Sequence, residues 1–137
     1  MKVFYDTDTT AENGRSGTLT LSDEAAKIRV TPPGTEGAGI TPEELFAMGY
    51  ASCFEYSLKM VSGHKEYPLD FIDVRASGSV VEKDEGGFVL DIELHLEFSG
   101  LTREQADDVI QAANSLCPYS NAICGNVDVR VYTKLNS

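Results

Sequence analysis

Four residues of this 137-residue chain have types that can do chemistry together: Cys53, Cys117, Arg15 and Glu43. A thiol attacks as its thiolate, and near the ordinary pKa of ~8.5 only a few per cent is ionised at neutral pH. A cation close by raises that fraction, and Arg15 is the obvious candidate if the N-terminal segment folds back over the thiol. Glu43 can orient Arg15. It also has a plainer use, because an acidic residue in the first turn of a helix favours the macrodipole. Cys53 and Cys117 can act as a pair in which one attacks and the other resolves, given a thiolate, a second thiol within reach and an oxidant. Either can instead be an inert packed thiol, since free cysteine is among the most often buried residue types.

Residues 41–61 must hold Cys53. Thr41 suits an N-cap, Pro42 the first helical position, and Glu44 completes a capping box. Phe46, Tyr50, Cys53, Phe54, Leu58 and Val61 follow at i, i+3, i+4 spacing, which predicts a helix over 42–62 with Cys53 on its buried stripe and Gly63 at C′. Cys117 closes a second helix, predicted over 103–116 and opened by a capping box from Thr102 to Gln105. Pro118 disfavours helical geometry at Cys117, so a turn fixes that backbone. Residues 121–125 read as irregular.

The remaining elements are strands. Residues 2–9 alternate enough for one. Glu12-Asn13-Gly14 signals a hairpin turn, with Arg15 just after it. Residues 18–21 and 27–31 give two more strands, separated by a turn at Ser22-Asp23. The Gly- and Pro-rich residues 32–40 form a loop that delivers the chain to the first helix. Residues 71–81 are expected as a strand with Ile72, Val74, Ala76 and Val80 on one face. After a polar turn at 83–87, residues 88–98 alternate clearly, with Phe88, Leu90, Ile92, Leu94, Leu96 and Phe98 facing one way. Residues 127–135 make the last strand. The order βββ-α-ββ-α-β predicts an α+β fold with antiparallel sheets in one domain over 1–137.

Several function classes are disfavoured. A net charge of -11 argues against nucleic acid or an anionic membrane surface as partner. No stretch approaches the ~20 apolar residues of a membrane span, and no leader is evident, so the expected location is cytoplasmic. Three cysteines do not suggest a secreted disulfide framework. With only His64 and His95 as imidazole donors a zinc site would need an unusual ligand set, and no metal or cofactor is expected. Both histidines read as solvated, and nothing places either beside Cys53 for Cys-His hydrolysis.

Three motifs together resemble a known family. Thr41-Pro42-Glu43-Glu44-Leu45-Phe46-Ala47-Met48-Gly49-Tyr50-Ala51-Ser52-Cys53-Phe54 is similar to the peroxidatic-cysteine helix of the organic hydroperoxide resistance (Ohr) proteins. Cys117-Pro118-Tyr119-Ser120-Asn121-Ala122, followed by Gly125-Asn126-Val127-Asp128-Val129, resembles their resolving-cysteine segment. Asn13-Gly14-Arg15-Ser16-Gly17 is similar to their N-terminal arginine turn. Phe46 to Tyr50 and Pro118 to Asn121 resemble the Ohr branch rather than the OsmC branch of the superfamily.

The resemblance implies an OsmC/Ohr-like fold, with two central helices packed against sheets in an intertwined homodimer. It implies a thiol peroxidase for organic hydroperoxides, with Cys53 peroxidatic, Cys117 resolving, Arg15 stabilising the thiolate, and Glu43 holding Arg15. It further implies a dihydrolipoyl protein as reductant. Phe46, Tyr50 and Phe54 would form an apolar substrate-binding wall that favours alkyl or lipid peroxides. A peroxidase of the OsmC type with broader peroxide range is the near alternative. A non-catalytic redox-sensing or ligand-binding domain of the same fold is the distant one. Two departures from the family pattern stand out: Glu44 stands where Gln is frequent, and Ile123-Cys124 replaces a pair that is usually polar. Cys124 is expected as a buried apolar substitute, with competition for Cys117 after oxidation as the other reading.

Overall fold

The computed structural model describes residues 1–21, 26–37 and 39–136. The chain forms two compact units, Met1–Leu45 and Phe46–Ser137.

The first unit is a three-stranded antiparallel meander of β1 (Thr9–Glu12), β2 (Thr18–Leu21) and β3 (Lys27–Arg29). The turn between β1 and β2 contains a single 3-10 turn, Gly14–Ser16, entered through Asn13 at φ 61. Asparagine tolerates that left-handed conformation, which most residues avoid. The meander agrees with the sequence expectation, but its first strand does not run over 2–9. Pairing begins at Thr9, whose partner Leu21 is the last described residue of β2, and residues 1–8 are exposed without regular structure. The expected turn at Ser22-Asp23 lies outside the described residues. Val30 bridges to Ile40, which closes the loop between them.

Helix α1 (Pro42–His64) begins in this unit and continues into the second. Its N-terminus is the expected capping box: the Thr41 hydroxyl accepts from the Glu44 N–H at 3.1 Å, and the Glu44 carboxylate accepts from the Thr41 N–H at 3.0 Å. Its C-terminus differs from expectation. The left-handed C′ residue is Glu66 (φ 56), not Gly63. The Tyr67 N–H reaches the Ser62 carbonyl and the Glu66 N–H the Gly63 carbonyl, which is a Schellman arrangement. Those two bonds hold a non-glycine residue in a conformation that costs roughly 1–2 kcal/mol.

The second unit carries β4 (Phe71–Glu82), β5 (Phe88–Ser99), α2 (Arg103–Leu116), α3 (Pro118–Ile123) and β6 (Val129–Asn136). β4 and β5 form the expected hairpin, closed by a turn with Gly86 and Gly87 at positive φ. β6 is a correction. The sheets were expected to be antiparallel throughout, yet β6 joins β5 in parallel. Parallel neighbours need a crossover, and α2 with α3 supplies one, returning the chain to the end from which β5 started.

The core is built from the inward residues of β5 (Ile92, Leu94, Leu96 and Phe98), the stripe Tyr50, Phe54, Leu58 and Val61 of α1, and Ala106, Val109 and Ala113 of α2. Fully burying a large apolar side chain contributes about 1.5–3 kcal/mol. Burial along β5 stops at Ile92: Phe88 is 70% exposed, and Val80 on β4 is 47% exposed, against the inward placement expected for both. A 12-residue strand runs about 40 Å, whereas the 14-residue α2 spans about 21 Å. The hairpin tip therefore outruns that helix. α2 starts at the expected residue with the Thr102–Gln105 capping box in place. Among the described residues, no helix is long and apolar enough to cross a membrane.

Candidate active site

The sequence candidates come together as two pairs, one in each unit. In the first unit Arg15 meets Glu43 in a bidentate contact, with Nη1 donating to Oε2 at 3.0 Å and Nη2 to Oε1 at 2.6 Å. Two parallel bonds fix the guanidinium plane as well as its position, which a lysine would not do. The hydrogen bond to Arg15 holds the Glu43 carboxyl below the usual range, and the Glu43 carboxylate raises Arg15. Glu43 is also in the first turn of α1, so the macrodipole and the ion pair favour the same ionised state. A carboxyl with a depressed pKa contributes its interaction above the ordinary carboxylate pKa and loses it as pH falls through the depressed value. The pair is therefore intact across neutral pH and opens only in acid.

In the second unit the sulfurs of Cys53 and Cys117 lie 3.4 Å apart and share a hydrogen bond. Cys53 is half-buried, at the edge of the α1 stripe rather than in its middle. Cys117 is fully buried. Its backbone is extended, φ -68 and ψ 123, as a residue before proline should be. Cys117 both ends α2 and opens α3. Its N–H donates to the Ala113 carbonyl, its carbonyl accepts from the Asn121 N–H, and the Asn121 side chain adds a second bond at 3.2 Å. Closing 3.4 Å to a disulfide bond of about 2.05 Å is a small side-chain movement.

The local environment does not activate Cys53. Burial pushes its thiol up, the hydrogen bond with Cys117 raises it further, and a backbone hydrogen bond from Tyr119 opposes them in part. A cation near the sulfur would favour the thiolate.

Around the sulfurs is an aromatic cluster. Tyr50 stacks on Tyr119 with centroids 6.0 Å apart, and Phe46 meets both rings edge-on. Phe54 packs edge-on against Tyr50. Of the expected substrate wall, Phe46 is half-buried, while Tyr50 and Phe54 are each 1% exposed and belong to the core. Tyr50 and Phe54 also line a cavity of about 470 Å³ with Ile110, Ser120, Cys124 and Val131, a space that neither Cys53 nor Cys117 lines.

Sequence reasoning missed the segment that fixes Cys117. Residues 118–123 form α3, whose six residues are too few to show periodicity. Pro118 at the first helical position was the available signal. The helix also overturns the expectation for Cys124. Ile123 packs on the core, Cys124 falls at the C-cap, and its thiol is exposed rather than buried. The histidines stay out of the site. His64 is exposed, and His95 stacks on Tyr132 at 5.0 Å and faces Glu93. Among the described residues, no group of three or more His, Cys, Asp or Glu could hold a metal ion.

The chain has counterparts among known proteins over most of its length. Residues 34–131 match the family described as OsmC-like protein, and the chain belongs to that family. It is 36% identical over 133 residues, 93% of either chain, to the organic hydroperoxide resistance protein of Xanthomonas axonopodis pv. citri. It is 38% identical over 138 residues to the organic hydroperoxide resistance protein OhrB of Bacillus subtilis, covering 96% of this chain and 99% of that one. A solved organic hydroperoxide resistance protein from Legionella pneumophila superposes with a TM-score of 0.91 at 36% identity, covering 97% of this chain and 99% of that one.

Proposed function

We propose that this protein is a cysteine-based peroxidase that reduces organic hydroperoxides, alkyl or lipid, to alcohols. The observation that carries the reading is the 3.4 Å separation of Cys53 and Cys117, one half-buried and one buried. The names of the relatives support the substrate class.

Cys53 attacks as the thiolate. An S–O bond forms, the peroxide O–O bond breaks, and the alkoxide leaves to take a proton and become the alcohol. Cys53 is then a sulfenic acid. Cys117 attacks it, an S–S bond forms, the S–O bond breaks, and the hydroxyl leaves with the thiol proton as water. A dithiol returns the disulfide to two thiols and becomes a disulfide itself. We assign that dithiol to a dihydrolipoyl-bearing protein, as the family resemblance implies. A homodimer belongs to the same reading, supported by the large apolar side chains Phe71, Val80, Phe88, Val89 and Val131 that one chain leaves exposed. The reading places the protein in the cytoplasm, where thiols are kept reduced.

Arg15 is proposed as the cation that Cys53 lacks locally, and as a stabiliser of the departing alkoxide. Glu43 holds it ready. Arg15→Ala should move the midpoint of the Cys53 alkylation-against-pH curve upward and lower peroxide consumption at pH 7 by about tenfold or more, with recovery at high pH. An unmoved midpoint would remove Arg15 from the mechanism.

The function is tested by comparing cumene hydroperoxide reduction with dihydrolipoamide against hydrogen peroxide reduction with thioredoxin. Apolar contact at the thiol, for which half-buried Phe46 is the accessible ring of the expected wall, should give the organic substrate a preference of about tenfold or more, the scale of one or two buried methylenes. Equal use of both peroxides would point to the broader OsmC-type activity. No turnover of any alkyl hydroperoxide would end the enzyme reading.

A further inference from the structure

The Cys53–Cys117 pair is bracketed by a second contact between the same elements. Three residues before Cys53 on α1, the Tyr50 hydroxyl lies 2.9 Å from the Ser120 hydroxyl, three residues after Cys117 on α3. Both residues are buried, at 1% and 5% exposure. Tyr119 adds a flat contact beside the bond. Its ring stacks on Tyr50 and its hydroxyl lies over Gly49, where an added Cβ would stand 2.5 Å away. α3 thus rests on one turn of α1 through a hydrogen bond, a ring stack and a position without a side chain.

We infer that Tyr50 and Ser120 form a clasp that holds the start of α3, and with it the Cys117 sulfur, in range of Cys53, making Ser120 a positioning residue for disulfide closure. The inference rests on the proposed peroxidase cycle for its consequence but not for its geometry. The Cys117 backbone is tied to α2 through Ala113 and to α3 through Asn121. The distance between the sulfurs therefore depends on how α3, as well as the end of α2, sits on α1. Holding two reacting groups in place converts their encounter into a local step and raises their effective concentration. Burial pushes the Tyr50 phenol up, so it stays protonated and able to donate at neutral pH.

The clasp acts chiefly on the closure step. In that step the Cys117 sulfur bonds to the Cys53 sulfur, the Cys53 S–O bond breaks, and the hydroxyl leaves with the Cys117 proton as water. Attack of Cys53 on the peroxide makes no bond to Cys117, and α3 meets the attacking sulfur only through the backbone hydrogen bond from Tyr119.

Two measurements test this, both in a Cys124→Ser background so that the exposed third thiol cannot exchange. The first uses no peroxide. The full chain is equilibrated in dithiothreitol buffers of graded oxidation, quenched with an alkylating agent and weighed. Ser120→Ala and Tyr50→Phe should each lower the effective concentration of the two thiols by about tenfold, the scale of one buried hydrogen bond. The double variant should fall no further than either single variant, because one bond is lost in all three. The second follows a single equivalent of cumene hydroperoxide under rapid quench. Ser120→Ala should form the Cys53 sulfenic acid at the parent rate and convert it to disulfide about tenfold more slowly. A loss that was merely structural would lower the melting temperature without separating the two phases. Unchanged effective concentrations, additive effects in the double variant, or an unchanged closure rate would each overturn the clasp. Should the parent fail to react with the peroxide, the peroxidase reading falls, and the dithiothreitol equilibrium still decides the clasp.

Discussion

Cys53→Ser should abolish hydroperoxide turnover, lowering the rate by a factor of at least about a thousand with any alkyl peroxide and any dithiol. The expectation follows from what the sulfur does. A thiol offers an anion at accessible pH and can carry an oxygen as a sulfenic acid, and a serine hydroxyl in the same place does neither. The substitution is small and the position half-buried on α1, so the fold should survive it. Circular dichroism and the melting temperature should stay near the parent values while peroxide consumption, followed by a ferrous-iron colour assay, falls to background. Residual turnover above about a tenth of the parent would mean that another thiol attacks, and exposed Cys124 would be the one to examine.

Cys117→Ser gives a different failure. The first equivalent of peroxide should still be consumed, because Cys53 is intact. The sulfenic acid then has no partner 3.4 Å away, and a second equivalent carries it to the sulfinic acid, which ordinary dithiols do not reverse. Sustained turnover with dihydrolipoamide should fall at least about tenfold, and inactivation should track peroxide excess. Mass spectrometry should find one added oxygen on the Cys53 peptide after one equivalent and two after excess. A variant that cycles at the parent rate without over-oxidation would show that the dithiol reduces the sulfenic acid directly and that Cys117 is dispensable.

How much of this was legible in the residues depends on how local the determining physics is. Both capping boxes were readable because each is a four-residue pattern with one geometric outcome, and both form. The backbone at Cys117 was readable because proline restricts its predecessor regardless of context. Alternation along β5 was readable because a half-buried strand records its two faces in sequence. The direction of β6 was not, because parallel or antiparallel pairing is set by the crossover and leaves little trace in an eight-residue strand. Phe88 shows the limit of alternation: the pattern says which side a residue faces, not whether anything covers it.

The site divides the same way. Glu43 was readable twice over, as a helix-start acid and as an arginine partner, and the bidentate contact with Arg15 makes both roles concurrent. The company of Cys117 was hidden, since Ser120 and Tyr119 act through a single turn and a half of helix too short to display a period. So was the chemistry of Cys53. An apolar stripe announces burial, and burial raises a thiol rather than activating it. The activation ascribed to Arg15 is a claim about charge, and the Cys53 alkylation midpoint is its readout.

The central claim is that Cys53 and Cys117 are the redox couple. Its most direct test is peptide mapping of the full chain after one equivalent of cumene hydroperoxide, quenched in acid and digested without reductant. The account predicts one major cross-linked product, Cys53 joined to Cys117, with Cys124 recovered as a free thiol. A major Cys117–Cys124 bridge, or full recovery of all three thiols, would contradict it.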